Sequence, residues 1–214
     1  MPQDTERKYH MNRSIFLTSC GLSDEMKDSL FDICGKAPED LKVLLIPTAG
    51  IESDGAREGL AVCLDEFRKM GIRPENVLVY NLELIPSIDY KRTYSAFVEN
   101  PAMIARLLSP AEAEEFDVCF VTGGDVNVLC REMRRTGADS VLKTAVSRGL
   151  VYVGISAGSM FAAGNMEDGL NLIPNRIVPH QDGNGVHEFP RDGRDILLSD
   201  GHAVCIFDDR VFMM

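Results

Sequence analysis

The stretch Leu150 to Met160, LVYVGISAGSM, constrains this chain more than any other. Leu150 to Gly154 are all apolar or glycine, the mark of a strand buried on both faces of a parallel sheet. Gly154, Ser156 and Gly158 then spell G-x-S-x-G. In that pattern a sharp strand-to-helix turn forces the serine into strained backbone angles, and small neighbours leave its hydroxyl clear. A hydroxyl lifted to the start of a helix meets free backbone N–H groups and the positive end of the helix dipole. Ser156 is therefore the candidate nucleophile. The pattern alone is loose and also fits a glycine-rich turn with a serine cap, so the case depends on what the rest of the chain supplies.

In chain order, Ser14 to Thr18 reads as a strand, and Ser23-Asp24-Glu25 starts a helix with the apolar stripe Met26, Leu30, Ile33, ending at Gly35. Lys42 to Pro47 is a second strand running into the turn Thr48-Ala49-Gly50; helical spacing from Ala56 to Met70 stops at Gly71, and Asn76 to Tyr80 is a third strand. This β-α-β-α-β order predicts an α/β fold, a mainly parallel sheet with helices on both faces. Asn81 to Glu115, divided by Pro86, Pro101 and Pro110, reads as a helical crossover with an amphipathic stretch over Tyr94 to Leu108. Phe116 to Val121 is a fourth strand that runs into Thr122-Gly123-Gly124-Asp125; helices follow from Val126 and over Ala138 to Arg148. Beyond the serine turn, Asp195 to Leu198 and His202 to Phe207 read as a hairpin about Ser199-Asp200-Gly201. The tail from Asp208 carries no clear pattern. Residues 1–13 form a polar, flexible arm and 14–214 one domain, a size that buries a single core.

A formal charge of −11 argues against nucleic acid as a partner, since phosphate contacts need a basic face. Six cysteines are scattered singly with no C-x-x-C pair, as buried thiols in a reducing compartment would be, and no histidine-cysteine cluster suggests a metal site. The polar N-terminus lacks a signal peptide's apolar core, and no apolar run is long enough to span a membrane. A cytoplasmic protein with no membrane partner is expected.

Acyl transfer needs a nucleophile, a base, a group orienting that base and two donors for the oxyanion. The N–H groups of Ala157, after the serine, and Gly124, in a turn at the same carboxyl edge of the sheet, are candidate donors. Gly123 and Asp125 flank Gly124 and are candidates for contact with substrate. Of the four histidines, His10 lies in the arm, His187 in a polar loop and His202 in an alternating strand. His180 follows Ile177-Val178-Pro179 at a strand end, where a loop presents an imidazole over the sheet edge, and is the candidate base. For the orienting acid, Glu167, Asp168 and Asp182 stay open.

With these residues in hand, the chain resembles the peptidase E (aspartyl dipeptidase) family of serine peptidases, a branch of the class-I glutamine-amidotransferase-like fold. The resemblance rests on LLIPTAG (Leu44 to Gly50), VTGGDVNVL (Val121 to Leu129), VYVGISAGSM (Val151 to Met160), GLNLIPNRIVPH (Gly169 to His180) and LLSDGHAVCI (Leu197 to Ile206). It implies Ser156 as nucleophile, His180 as base, Gly124 and Ala157 as oxyanion hole, and hydrolysis of short peptides, dipeptides with N-terminal aspartate foremost, with no metal and no cofactor. The segment from the serine turn to His180 is shorter than the family pattern, in which it carries the triad acid; Glu167 or Asp168 would take that place. The C-terminus also stops soon after Phe207, as though a closing element were trimmed. Arg176 near His180, with Arg191 and Arg194 in the following loop, are candidates to hold an acidic substrate group. A serine exopeptidase, monomeric or homodimeric, is the expectation, and a non-catalytic peptide or small-molecule binder with a degenerate triad is the alternative.

Overall fold

Runs of four buried residues build the five inner strands of the central sheet of this protein, for which a computed structural model describes residues 13–51, 56–89, 106–183, 185–208 and 210–214. Strands β1 (Ser14–Thr18), β2 (Val43–Ile46), β3 (Val77–Val79), β4 (Val118–Val121) and β5 (Val151–Ile155) pair in parallel, in the spatial order β3-β2-β4-β5-β1. Val43 to Ile46 and Val118 to Val121 are buried at every position, as strands covered on both faces must be. The sheet continues past β1 with two antiparallel strands, β8 (Ala203–Phe207) and β9 (Arg210–Met213). A small second sheet pairs β6 (Ile177–Val178) with β7 (Ile196–Leu197) in parallel.

The alternation of side chains along the strands sorts the interior into two cores. Phe16, Leu45, Phe120 and Val153 point to one face, where α1 (Asp24–Cys34) and α2 (Ala56–Lys69) bring Met26, Leu30 and Phe67. Leu17, Ile46, Val121 and Tyr152 point to the other, against Leu129, Met133, Leu142 and Phe161 of α4 (Val126–Thr136), α5 (Ala138–Ser147) and α6 (Ala157–Ala162). A mainly parallel sheet with helices on both faces, as expected, is what the chain forms. The helix boundaries follow local chemistry. Ser23 caps α1 by accepting from Met26 N–H, and Gly35 ends it in the left-handed conformation; Asp125 caps α4 in the same way, accepting from Asn127 and Val128.

Three expectations meet different outcomes. Asp195 to Leu198 and His202 to Phe207 do not form a hairpin: β7 pairs with β6, whereas β8 crosses to the main sheet and pairs with β1 and β9. The tail, unpatterned in sequence, supplies the edge strand β9. In the proposed crossover, the ends are a short turn over Leu82–Leu84 and α3 (Pro110–Ala113), opened by a Ser109–Glu112 capping box; Tyr94 to Ala105, most of the amphipathic stretch, and the arm, residues 1–12, lie outside the described residues.

Candidate active site

The carboxyl edge of the parallel strands is where open α/β sheets gather their sites, and four loops converge there. The first is the turn after β5. Ser156 has φ 49° and ψ −104°, a conformation that L-residues avoid, and its N–H is held by Thr18 O at 2.9 Å. The two glycines around it are required by contact. A Cβ on Gly154 would lie 2.7 Å from the Gly158 carbonyl, and one on Gly158 would lie 2.1 Å from Val121 O, so α6 packs with its backbone directly on β4 and β5. Tyr152 ties the turn from below, its hydroxyl donating to Gly158 O at 2.9 Å, and the single Ser159 Oγ proton lies between Thr18 O and Gly154 O, each 2.7 Å from Oγ.

The second loop is Thr122-Gly123-Gly124. A Cβ on Gly123 would lie 3.3 Å from Ser156 Cβ, so this turn runs directly beside the serine. Gly124, at φ 137°, presses on Ala49: a Cβ there would meet the Ala49 carbonyl oxygen at 2.1 Å, and Asp125 N–H donates to that oxygen at 2.7 Å. The N–H groups of Gly124 and Ala157 make no hydrogen bond among the described residues, Ala157 because the first N–H of a helix has no partner within it. Asp125 spends its carboxylate on capping α4.

The third loop follows β6 and carries His180, held at φ 60°. Its Nε2 lies 3.0 Å from Ser156 Oγ. The fourth follows β7 and carries Asp200, whose Oδ1 lies 2.9 Å from His180 Nδ1. A serine, an imidazole and a carboxylate thus stand in one hydrogen-bonded row, the arrangement in which an acid fixes the imidazole tautomer and steadies its protonated form. Ser19, next after β1, closes the row from behind: its hydroxyl donates to Asp200 Oδ1 at 2.6 Å and accepts from the His180 backbone N–H at 2.7 Å. The Asp200 carboxyl is held below its ordinary value, chiefly by the Ser19 hydroxyl and also by His180, so it is ionised at neutral pH.

Ser156 and His180 are brought together, and Gly123, Gly124 and Ala157 lie around the serine. Glu167 and Asp168 make no hydrogen bond to the ring, whose partners among the described residues are Ser156, Asp200 and Ser19. Both are exposed on the segment after α6, and Asp168 pairs with Arg134. Asp182 is exposed as well. Asp200 stands where one of them was expected, because the acid enters from the turn between β7 and β8, after the histidine in the chain. Its sequence signal was present, an acidic residue in a tight turn just before a strand that returns to β1, but chain order pointed to acids before or beside His180. Ser19 gave no signal beyond being polar at a strand end. Arg176 is exposed and lies 4.0 Å from Asp195, and Arg194 pairs with Asp192 at 3.0 Å. Among the described residues, no cluster of histidine, cysteine and acidic side chains suits a metal ion.

The chain is similar to known peptidases. The chain is 32% identical over 95 residues to peptidase E of Salmonella arizonae, a match covering 38% of this chain and 42% of that protein. It is 31% identical over 81 residues to an uncharacterised peptidase of Listeria monocytogenes, covering 30% of this chain and 40% of that protein. The chain therefore matches about two fifths of the length of these curated relatives. Two solved structures share the fold along nearly the whole chain. A peptidase E candidate from Listeria monocytogenes EGD-e superposes with a TM-score of 0.59 at 22% identity, covering 95% of this chain and 98% of that one. A peptidase from an acI-B1 Actinobacterium gives 0.58 at 17% identity, covering 92% and 84%. The model of peptidase family S51 matches residues 107–213, half of the sequence and all of Ser156, His180 and Asp200, and the chain belongs to that family.

Proposed function

We propose that this protein is a serine exopeptidase that cleaves short peptides through an acyl-enzyme on Ser156. The observation that carries the reading is the row Ser156 Oγ, His180 Nε2, His180 Nδ1, Asp200 Oδ1, with spacings of 3.0 and 2.9 Å. In the acylation step His180 takes the Ser156 proton as Oγ attacks the scissile carbonyl carbon, and the N–H groups of Gly124 and Ala157 receive the charge that forms on the carbonyl oxygen. His180 then passes that proton to the departing amine. In the second half a water gives its proton to His180 and attacks the acyl carbon, releasing the acid and restoring Ser156. Asp200 stays ionised throughout and steadies the imidazolium. The presence of every member of the row at bonding distance supports this reading over the non-catalytic alternative.

Peptides with N-terminal aspartate are the substrates we favour. Arg176, Arg191 and Arg194 lie in the segments that bound His180, and a guanidinium is suited to gripping a carboxylate with two parallel bonds. A reducing compartment such as the cytoplasm suits six free cysteines, of which Cys119, Cys130 and Cys205 are buried with their thiols pushed up by desolvation. Among the described residues no helix is long and apolar enough to cross a membrane.

A fluorophosphonate probe tests the reading. Wild-type protein is expected to be labelled at residue 156 and Ser156→Ala to remain unlabelled; an unlabelled, folded wild-type protein would overturn it. Hydrolysis of Asp-X against X-Asp and neutral dipeptides tests the substrate class, and equal rates on all three would remove the preference for aspartate.

A further inference from the structure

Ser19 is fully buried, yet its one hydroxyl touches two parts of the site at once. The carboxylate of Asp200 can only accept, so the Ser19 proton goes to Asp200 Oδ1 and the oxygen's lone pairs remain for the His180 backbone N–H. The donor and acceptor assignment is therefore fixed by chemistry. Both contacts act on groups that need holding. Asp200 is an exposed side chain on a turn, and the oxygen that Ser19 grips is the one facing His180 Nδ1. His180 carries a positive φ, which a residue with a Cβ adopts only where its surroundings hold it there. The Ser19 hydroxyl also lies 3.5 Å from Nδ1 itself, behind the bond between the ring and the carboxylate.

Resting on the peptidase reading above, we propose that Ser19 is a positioning residue: its buried hydroxyl couples the Asp200 carboxylate to the His180 backbone, so that acid and base keep one alignment toward Ser156. The anchor is well placed for this. Ser19 follows β1, which is hydrogen-bonded to β5, the strand that carries the nucleophile, so one rigid pair of strands positions all three groups. Cys20 also feels the Asp200 carboxylate, and its thiol is pushed up by burial and by that charge, which keeps it neutral there.

Ser19→Ala removes the hydroxyl, and Ser19→Cys keeps its volume while replacing it with a weak donor. Both variants are expected to lose roughly 10- to 100-fold in kcat, the usual worth of a hydrogen bond to a charged group, with KM nearly unchanged. The acid limb of the pH profile should shift in both, because the carboxylate that faces the ring changes its bonding. In an Asp200→Asn background, Ser19→Ala should add little further loss, since the two act as one unit. Wild-type kcat and pH profile in either folded variant would overturn the proposal. So would absence of a thermal unfolding transition in both variants, which would assign Ser19 to stability alone. Fluorophosphonate labelling separates the two readings. No labelling of wild-type Ser156 sinks the peptidase function, whereas labelling of wild type with equally fast labelling of Ser19→Ala sinks only the role of Ser19.

Discussion

The Asp200 carboxylate shares one oxygen between the Ser19 hydroxyl and the His180 ring, and that sharing sets the outcome of two substitutions. Asp200→Asn keeps the shape but turns the oriented anion into a neutral amide, and kcat is expected to fall by about 10⁴-fold, as when a triad acid is neutralised elsewhere. Glu167→Gln should leave kcat and KM unchanged, because that side chain is exposed on the segment after α6 and makes no hydrogen bond to the ring. Steady-state kinetics on the two variants checks both. Ser156 was legible because its neighbours are forced: only glycine fits where a Cβ would strike Gly158 or Val121. His180 was legible from its place at a strand end. Asp200 was hidden because chain order does not bind the members of a triad, and Glu167 and Asp168 were favoured for standing between the other two in sequence. Ser19 was hidden because its two bonds reach across 161 and 181 residues, a separation that no local pattern encodes.

At the scale of elements, backbone contact governs how the serine turn is built. Gly158→Ala places a methyl 2.1 Å from Val121 O, a backbone atom that cannot swing aside, so α6 must lift from β4. A loss of about 1–3 kcal/mol in unfolding free energy is expected from denaturant titration, together with slower labelling of Ser156. The start of α3 provides a pH-dependent counterpart. Glu112 is bonded by Arg106 and by the N–H and hydroxyl of Ser109, and its carboxyl is pushed down to about 2, the guanidinium being the largest cause. Its stabilising effect is therefore complete above the ordinary carboxylate range and is lost as pH falls toward 2. Glu112→Gln should cost about 1 kcal/mol at neutral pH, a modest figure for a partly exposed group, and nothing near pH 2; thermal melts across that range check the convergence. The long helices and the strands β1 to β5 were legible because each has a full period of pattern. The pair β6 and β7 was not: two residues each is too short for any periodicity, and Ser199-Asp200-Gly201 looks the same whether it closes a hairpin or sends the chain from one sheet to another.

On the scale of the whole molecule, the nucleophile and the rest of its row rest on unequal foundations. Ser156 and Ser19 stand at the ends of neighbouring strands in the middle of a seven-stranded sheet, with a core on either side. His180 and Asp200 stand just beyond β6 and β7, a ladder of two residues per strand whose buried side chains Ile177 and Ile196 join the core, whereas the turns that carry the two groups are exposed and held by single bonds such as Gln181 N–H to Leu198 O at 3.1 Å and Ser199 Oγ to Gln181 O at 2.8 Å. Sheet regions with so few paired groups open at lower free energy than buried central strands. Turnover should therefore vanish at a urea concentration well below the one that melts the helices seen by circular dichroism, and return at once on dilution. If the ladder opens first, acid and base disengage together like a clutch while the main sheet stays intact.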